Sequence, residues 1–457
     1  MSDIDTKSAE EKNRTITADA SPQKSFFINM ITKDISLLEC ILDLLDNSVD
    51  GANNHIIETG KEVQEDSRYN GYTAEITFSE TEFEIVDNCG GIPLDRAEHF
   101  VFNFGRSHKA PPQPGQSIGF YGIGMKRAMF KIGKIISIDS STKEDGFSVD
   151  INVNTWEGQE EGKWHFDLVK HDPTLVAGTK ITITDPTPEA TVELGDSDFV
   201  SNLIEEIKRD YSLILKKGFK ITVNNVSVQP MEFYVLEGND FAPVYFEKNL
   251  KAPVGSVVKL QIRAGLWRAP EPSETDARDD VDPGWYVICN DRIILAADKT
   301  YKTGWDEGTV PKWHSQYKPF IGFAMFTSAD PSCLPWNTTK RGVDLNSEVY
   351  RQALVYMGEV TKQGTDYTNK RKTDPEAAKK FESEANLVPV FSAKAECKTI
   401  CYPSVTRQEP PVKMATITYR VPDSEVKKVK SAMGNILMSN KEVGEETFHY
   451  YVDMEVE

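Results

Sequence analysis

The stretch LDLLDNSVDGA (42–52) constrains the fold more than any other part of the chain. Leu37, Leu38, Ile41, Leu42, Leu45 and Val49 recur at three- and four-residue steps, the spacing of a helix packed on a core. The same helix carries Asp43, Asn47 and Asp50 at i, i+4 and i+7, so they line one stripe, and Glu39 extends that stripe by one turn. Taken alone, such a stripe is the solvated acidic face of a surface helix. The motifs that follow it in the chain give it a second use.

With 457 residues the chain has room for about three domains and a full core. Hydrophobic content of 39% and charged content of 27% fit a globular protein with some polar segments. No apolar run approaches the roughly 18 residues that a membrane span needs. The first 24 residues contain no apolar core of a leader peptide and read as a polar tail, so the expected location is the cytoplasm. The six cysteines have no paired CxxC spacing, which makes reduced thiols the default. Cys397 and Cys401 are four apart with no His or second Cys pair nearby, a poor basis for zinc. A net charge of −19 argues against a surface coated for nucleic acid. The best local basic run is YTNKRKTDPEAAKK (367–380).

Two alternating runs in AEITFSETEFEIVDNCGGIP (74–93) predict a β-hairpin whose second strand ends at Asp87. A helix is expected from about Leu94 to Asn103. A Pro/Gly/Gln-rich loop then runs into a glycine cluster and an amphipathic helix, FGRSHKAPPQPGQSIGFYGIGMKRAMFKIGK (104–134), the composition of a lid or binding loop. Strand patterns dominate up to Asp185, a helix covers 198–217, and a second α/β region runs from about 228 to 360. A charged linker is expected over 361–390. The last segment reads as a strand, ATITYRV, and two short helices split at Gly434-Asn435. Mixed strands and helices in this order favour an α+β sandwich, with helices on one face of a mainly antiparallel sheet.

Four signals carry chemistry. After the Asp43/Asn47/Asp50 stripe comes IVDNCGGI (85–92), a carboxylate at a strand end followed by glycines. In SIGFYGIGMKRA (117–128), Gly119, Gly122 and Gly124 precede Lys126 at a helix start, and AGTKITIT (177–184) brings Gly-Thr into a strand. Glycines at a helix N-terminus let backbone N–H groups approach phosphate oxygens, and Lys126 can add a point charge. The spacing is neither that of a P-loop nor that of a dinucleotide fold. Asp87 can accept the exocyclic amine of adenine, Gly91 lets a base lie near the backbone, and Thr179 can hold a water at that edge. Asn47 offers one oxygen to Mg²⁺. Asp43, one turn earlier, is placed to orient or deprotonate a water. Singly, each motif is also the composition of a turn or a close-packing site.

In this order the motifs resemble the GHKL superfamily of gyrase, heat-shock chaperone, histidine kinase and MutL-type ATPases. LLDNSVDGA is similar to its first box, DNCGGI to its adenine box, IGFYGIGMKRAMFKIG to its phosphate-lid box and GTKITI to its fourth. FGRSHK and the glycine cluster look most like Microrchidia (MORC) proteins and their bacterial relatives. VICNDRIIL and PWNTTKRGVDL resemble the transducer domain of MutL, gyrase and MORC.

The resemblance implies a Bergerat-type ATP-binding sandwich over 25–225, a transducer-like α/β domain over 226–360, the linker over 361–390 and a small C-terminal α+β segment over 391–457. It implies ATP and Mg²⁺ as ligands, with Asn47 on the metal and Asp50, Asp87, Gly91, Ile92, Gly119, Gly122, Gly124, Lys126 and Thr179 around the nucleotide. Asp43 would be the general base, and Lys340 would reach over from the transducer-like domain to the γ-phosphate. It also implies a homodimer on ATP binding, strapped by residues 1–24 or so, that clamps DNA or a bacterial defence partner. The competing readings are a non-hydrolysing ATP sensor, a chaperone and a histidine kinase. Two departures stand out. The family's usual Glu base is here the shorter Asp43, and Cys89 replaces the first glycine of the adenine box.

Overall fold

Ser36 starts the helix that carries the polar stripe. Its Oγ accepts from the Glu39 N–H at 3.2 Å while Glu39 Oε2 accepts from the Ser36 N–H at 3.0 Å, a reciprocal capping box. Glu39 is therefore spent on the cap and does not extend the stripe. The computed structural model describes residues 23–60, 62–105, 115–119, 122–159, 164–238, 240–253, 255–268, 281–392, 396–404 and 415–456. Residues 1–22 of the expected 1–24 tail and strap, and most of the expected lid loop, 106–114 with 120 and 121, lie outside the described residues, while Lys24 starts a helix.

The chain forms two compact units, 1–405 and 406–457. In the larger unit helix α1 (Lys24–Lys33) precedes helix α2 (Leu37–Glu58). Helix α1 packs on its own chain: Phe27 meets Phe104 and Trp164 edge-to-face, and the Lys24 amine bonds to the Trp156 carbonyl. Helix α2 buries Ile41, Leu45, Val49 and Ala52 completely. Burial of Ile41, Leu45 and Val49 stabilises by ~1.5–3 kcal/mol each, which fixes which side of α2 faces the sheet.

That sheet has eight strands: β1 (Thr73–Ser79), β2 (Glu82–Asp87), β3 (Gly133–Ser141), β4 (Gly146–Asn152), β5 (Val169–His171), β6 (Gly178–Pro186), β7 (Lys220–Val223) and β8 (Val226–Ser227). Their order is β5-β4-β3-β6-β2-β1-β7-β8, and every pairing is antiparallel except β1 with β7. Along β1, Ala74, Ile76 and Phe78 point to the core and Glu75, Thr77 and Ser79 away from it, the alternation that predicts a hairpin here. Helix α3 (Gly124–Ile132) packs beside α2, and α4 (Ser197–Asp210) sets Phe199 edge-to-face on Phe78 of β1. The mixed α+β sandwich is thus present. The helix expected over 94–103 is a short α-turn, Leu94–Arg96, continued by a π-turn, Ala97–Val101.

Strand β9 (Tyr234–Glu237) leads to a second sheet of β10 (Val244–Lys251), β11 (Val257–Leu266), β12 (Gly284–Cys289), β13 (Arg292–Asp298) and β14 (Phe320–Thr327), ordered β10-β11-β14-β12-β13. β12, parallel to β14 and buried at every residue, explains the unbroken apolar run WYVIC. Strand β15 (Asn386–Pro389) pairs with β9.

The expected charged linker is corrected here. Most of residues 361–390 lie in helices α5 (Glu348–Arg371) and α6 (Pro375–Glu384) and in β15. Thr361, Thr365, Tyr367 and Thr368 face the core, and the Thr361 hydroxyl accepts from the Trp285 indole at 2.8 Å. The charges that suggested a linker ride on the outer face, and buried Glu382 takes Arg371 and Tyr367 as partners. Residues 396–404 also belong to the larger unit, since Cys397 and Cys401 pair with Tyr245 and Ala242 through the backbone. No described helix is long and apolar enough to cross a membrane.

In the smaller unit, helices α7 (Asp423–Ala432) and α8 (Asn440–Glu455) form a hairpin. The segment 415–421, expected as a strand, pairs with no described strand.

Candidate functional site

Between Cys40 and Asp50 a single residue of α2 is exposed, and it is Asn47. Its amide makes no hydrogen bond to a described residue. The chemistry of that one open oxygen fits Mg²⁺, which keeps waters and phosphate oxygens as its other ligands. Asp50, one turn on, is buried, and its two oxygens accept the N–H groups of Ile118 and Gly119, both at 2.6 Å. Burial pushes the Asp50 carboxyl up to about 6 against the pull of those two N–H bonds. The glycine cluster is thereby pinned over the stripe. A Cβ on Gly119 would sit 2.8 Å from Asp50 Oδ2 and 3.6 Å from Asn47 Oδ1, so only glycine lets the backbone pass there.

Asp87 ends β2 against the other flank of α2. Its Oδ2 accepts from the Ser48 hydroxyl at 2.7 Å, and its Oδ1 accepts the N–H groups of Cys89 at 2.9 Å and Thr179 at 3.2 Å. Burial raises its pKa, opposed by these donors. Gly91 has φ of +72°, and a Cβ there would lie 2.0 Å from the Ser141 carbonyl oxygen. The neighbour that demands glycine at 91 is thus the backbone of β3. Ser140 joins the fourth motif to the second: its hydroxyl accepts from the Ile92 N–H and meets Thr179 Oγ1, each at 2.9 Å. Cys89 is buried, and desolvation pushes its thiol well above the ordinary value, which leaves it unreactive.

Near the start of α2, the neighbouring cations Lys126 and Arg127 take different partners. The Lys126 amine is buried and donates to the Val101 carbonyl, at the end of the π-turn, at 2.8 Å. Desolvation lowers its pKa to about 7. The cation that meets the stripe is Arg127, whose Nη2 and Nε lie 2.6 and 2.9 Å from Asp43 Oδ2. Gly124 passes beside the same carboxylate, where a Cβ would come within 3.2 Å of Asp43 Cγ, and Gly122 holds φ of +70°.

Lys340 reaches this end of α2 from the loop after the second sheet. Its amine lies 2.7 Å from Asp46 Oδ2 and 3.4 Å from Asp43 Oδ1. Burial opposes its charge, but the two carboxylates outweigh burial and raise its pKa. Its φ is +56°, a left-handed conformation that a lysine keeps only where surroundings enforce it; the Asn337 carbonyl accepts its N–H at 3.0 Å. Asp46 also receives Arg292 from β13 at 2.8 Å and the Tyr211 hydroxyl at 2.6 Å. Burial pushes the Asp46 carboxyl up, yet Arg292 and Lys340 outweigh it and hold it below the usual carboxylate range.

Asp46, Arg127, Arg292, Tyr211 and Ser140 are absent from the sequence reading. Asp46 had a signal, because it falls on the apolar side of α2 at the Leu42–Val49 spacing, where a charge needs a partner. The others carry none, since their roles arise from contacts across 39 to 246 positions of chain.

All four motifs thus meet around α2: the second through Ser48, the third through Asp50, the fourth through Asp87. No curated protein matches the chain. Residues 35–176 match the family of Histidine kinase-, DNA gyrase B-, and HSP90-like ATPase, and this match supports a GHKL-type ATP-binding domain over that segment.

Proposed function

We propose that this protein is a Mg²⁺-dependent ATPase that works as an ATP-gated dimeric clamp or switch. The observation that carries the reading is Lys340, delivered by the second sheet's domain onto Asp43 and Asp46 of the helix that opens the ATPase segment. A cation so held exchanges carboxylate partners for phosphate oxygens, which couples nucleotide binding to the position of the second sheet. Asn47 holds Mg²⁺, which supplies charge neutralisation at the phosphates when bound. Asp87 selects adenine, Gly119, Gly122 and Gly124 admit the phosphates, and Lys126 adds charge once it is ionised. Asp43 orients and deprotonates the attacking water, a role worth ~10²–10⁴ in rate. The resemblance to MORC and MutL favours DNA or a defence-system protein as what the clamp holds.

A second reading, a non-hydrolysing ATP sensor, is favoured by one observation: Asp43 is clamped by Arg127 and Lys340 and is one methylene shorter than a glutamate. Steady-state hydrolysis by the wild type and by Asp43→Asn, with oligomeric state measured with and without ATP, separates the two. A wild type that turns over and a variant that stalls as an ATP-bound dimer support the clamp. ATP binding by both with turnover by neither rejects hydrolysis.

A further inference from the structure

The smaller unit cannot bury its own apolar surface. Among its described residues Val443 alone of the apolar side chains is buried. Ile436 and Leu437 in the turn are 72% and 96% exposed, and Phe448, Tyr450, Tyr451 and Met454 of α8 are 51–68% exposed. A unit of this size with so little core needs a partner to be stable.

The segment before α7 says which partner. Ile417, Tyr419 and Val421 alternate with Thr416, Thr418 and Arg420, the pattern of a half-buried strand, and the apolar set is 49–60% exposed. Residues 415–421 make no backbone hydrogen bond to any described residue. An open ladder beside an apolar row is a template for another strand. The apolar positions are symmetric about Tyr419, so antiparallel pairing of this segment with itself places Ile417 opposite Val421 and keeps all six apolar side chains of the pair on one face.

The helices agree. α7 carries three lysines against two acids, and α8 five acids against one lysine, so a two-fold axis that sets α7 beside the partner's α8 brings opposite charges together. The exposed parts of Tyr419, Phe448, Tyr450 and Tyr451 alone offer roughly 500 Å². With the turn and strand residues added, the patch reaches the ~800 Å² per partner of a stable interface.

We infer that residues 415–456 are a dimerisation element that joins two copies of this chain independently of nucleotide, through an antiparallel ribbon of 415–421 and interleaved α7 and α8. The ribbon's other face then presents Thr416, Thr418 and Arg420 from both copies.

The test is the mass of the full chain in solution without nucleotide at ~10 µM, by light scattering. The expected mass is twice the 51.3 kDa of one chain. Ile417→Asp/Tyr419→Asp and, separately, Phe448→Asp/Tyr451→Asp should each return it to one chain, weakening association at least ~100-fold, with ATP affinity unchanged. A monomeric wild type, or a dimer that neither variant disturbs, overturns the inference. Strand pairing is read by Tyr419→Cys in a Cys397→Ser/Cys401→Ser background, which should oxidise to a disulfide-linked dimer because directly opposed residues have Cα atoms within disulfide reach. A dimer that does not cross-link there overturns the ribbon. With no nucleotide present, failure of the clamp reading leaves these results untouched.

Discussion

Lys340 and Asp46 are separated by 294 positions of sequence and by 2.7 Å in space. The pair is buried, with side chains 7% and 1% exposed, and Arg292 completes it from a second direction. Two charges taken out of water are costly unless geometry and further hydrogen bonds repay the desolvation. Here Tyr211 donates a hydrogen bond to Asp46, Lys340 donates another to Asp43, and Arg292 adds a second positive charge beside Asp46. Helix α2 and the second sheet's domain are therefore joined by charge in a place where water does not compete.

Removing one member should show the cost. Asp46→Asn leaves Lys340 and Arg292 buried without their carboxylate, and the expected loss is ~3–5 kcal/mol of stability. Urea unfolding of the full chain measures it. Lys340→Met should cost less, because Asp46 keeps Arg292 and Tyr211.

Lys340→Ala should spare ATP binding and slow turnover by ~10²-fold, the scale of losing one charge-stabilising group. Normal turnover in this variant would remove the coupling role assigned to the second sheet.

Asn47→Ala should weaken Mg-ATP binding ~10–100-fold, from loss of a contact worth ~1.5–3 kcal/mol. Titration calorimetry with and without Mg²⁺ reads it. Equal affinities in wild type and variant would end the metal-ligand assignment.

Lys126 gives a pH signature. Its amine has a pKa of about 7 because burial disfavours its charge, and a bound polyanion favours the charged form and raises that pKa. ATP binding should then take up a proton above pH 7, and affinity should fall as pH rises from there, by at most about tenfold per unit. Calorimetry in two buffers of different ionisation enthalpy detects the uptake. Lys126→Met should abolish it.

Gly91→Ala combines a left-handed φ with a 2.0 Å clash against Ser141 O. It should destabilise the larger unit by more than ~2 kcal/mol and disrupt the adenine box. Asp87→Asn, by contrast, should fold and lose discrimination of ATP over GTP, as measured by competition binding.

Much of this site is readable in sequence because short-range spacing reports on local structure. The apolar repeat from Leu37 to Val49 marks α2 and its buried side, and the alternation in 74–87 marks the hairpin that ends at Asp87. The linker expectation failed for a physical reason. Charge counting makes 361–390 a linker, but a helix can carry every charge on one face and Thr361, Tyr367 and Thr368 on the other. Lys126 is one residue from Arg127, and on a helix one residue is 100° of rotation, enough to send one cation to Val101 and the other to Asp43.

Local periodicity and the order of four motifs determined by themselves the α+β class, the helix that carries the polar stripe and the glycines that approach it. Partner choice among charges was decided only by tertiary structure. Asp43 has Arg127, Asp46 has Lys340 and Arg292, and Asp87 has Ser48 and two backbone N–H groups. Spacing along a chain sets which side of an element a carboxylate occupies. Which cation desolvates beside it depends on the packing of distant elements, and that packing is the sum of every buried contact rather than a property of any one motif.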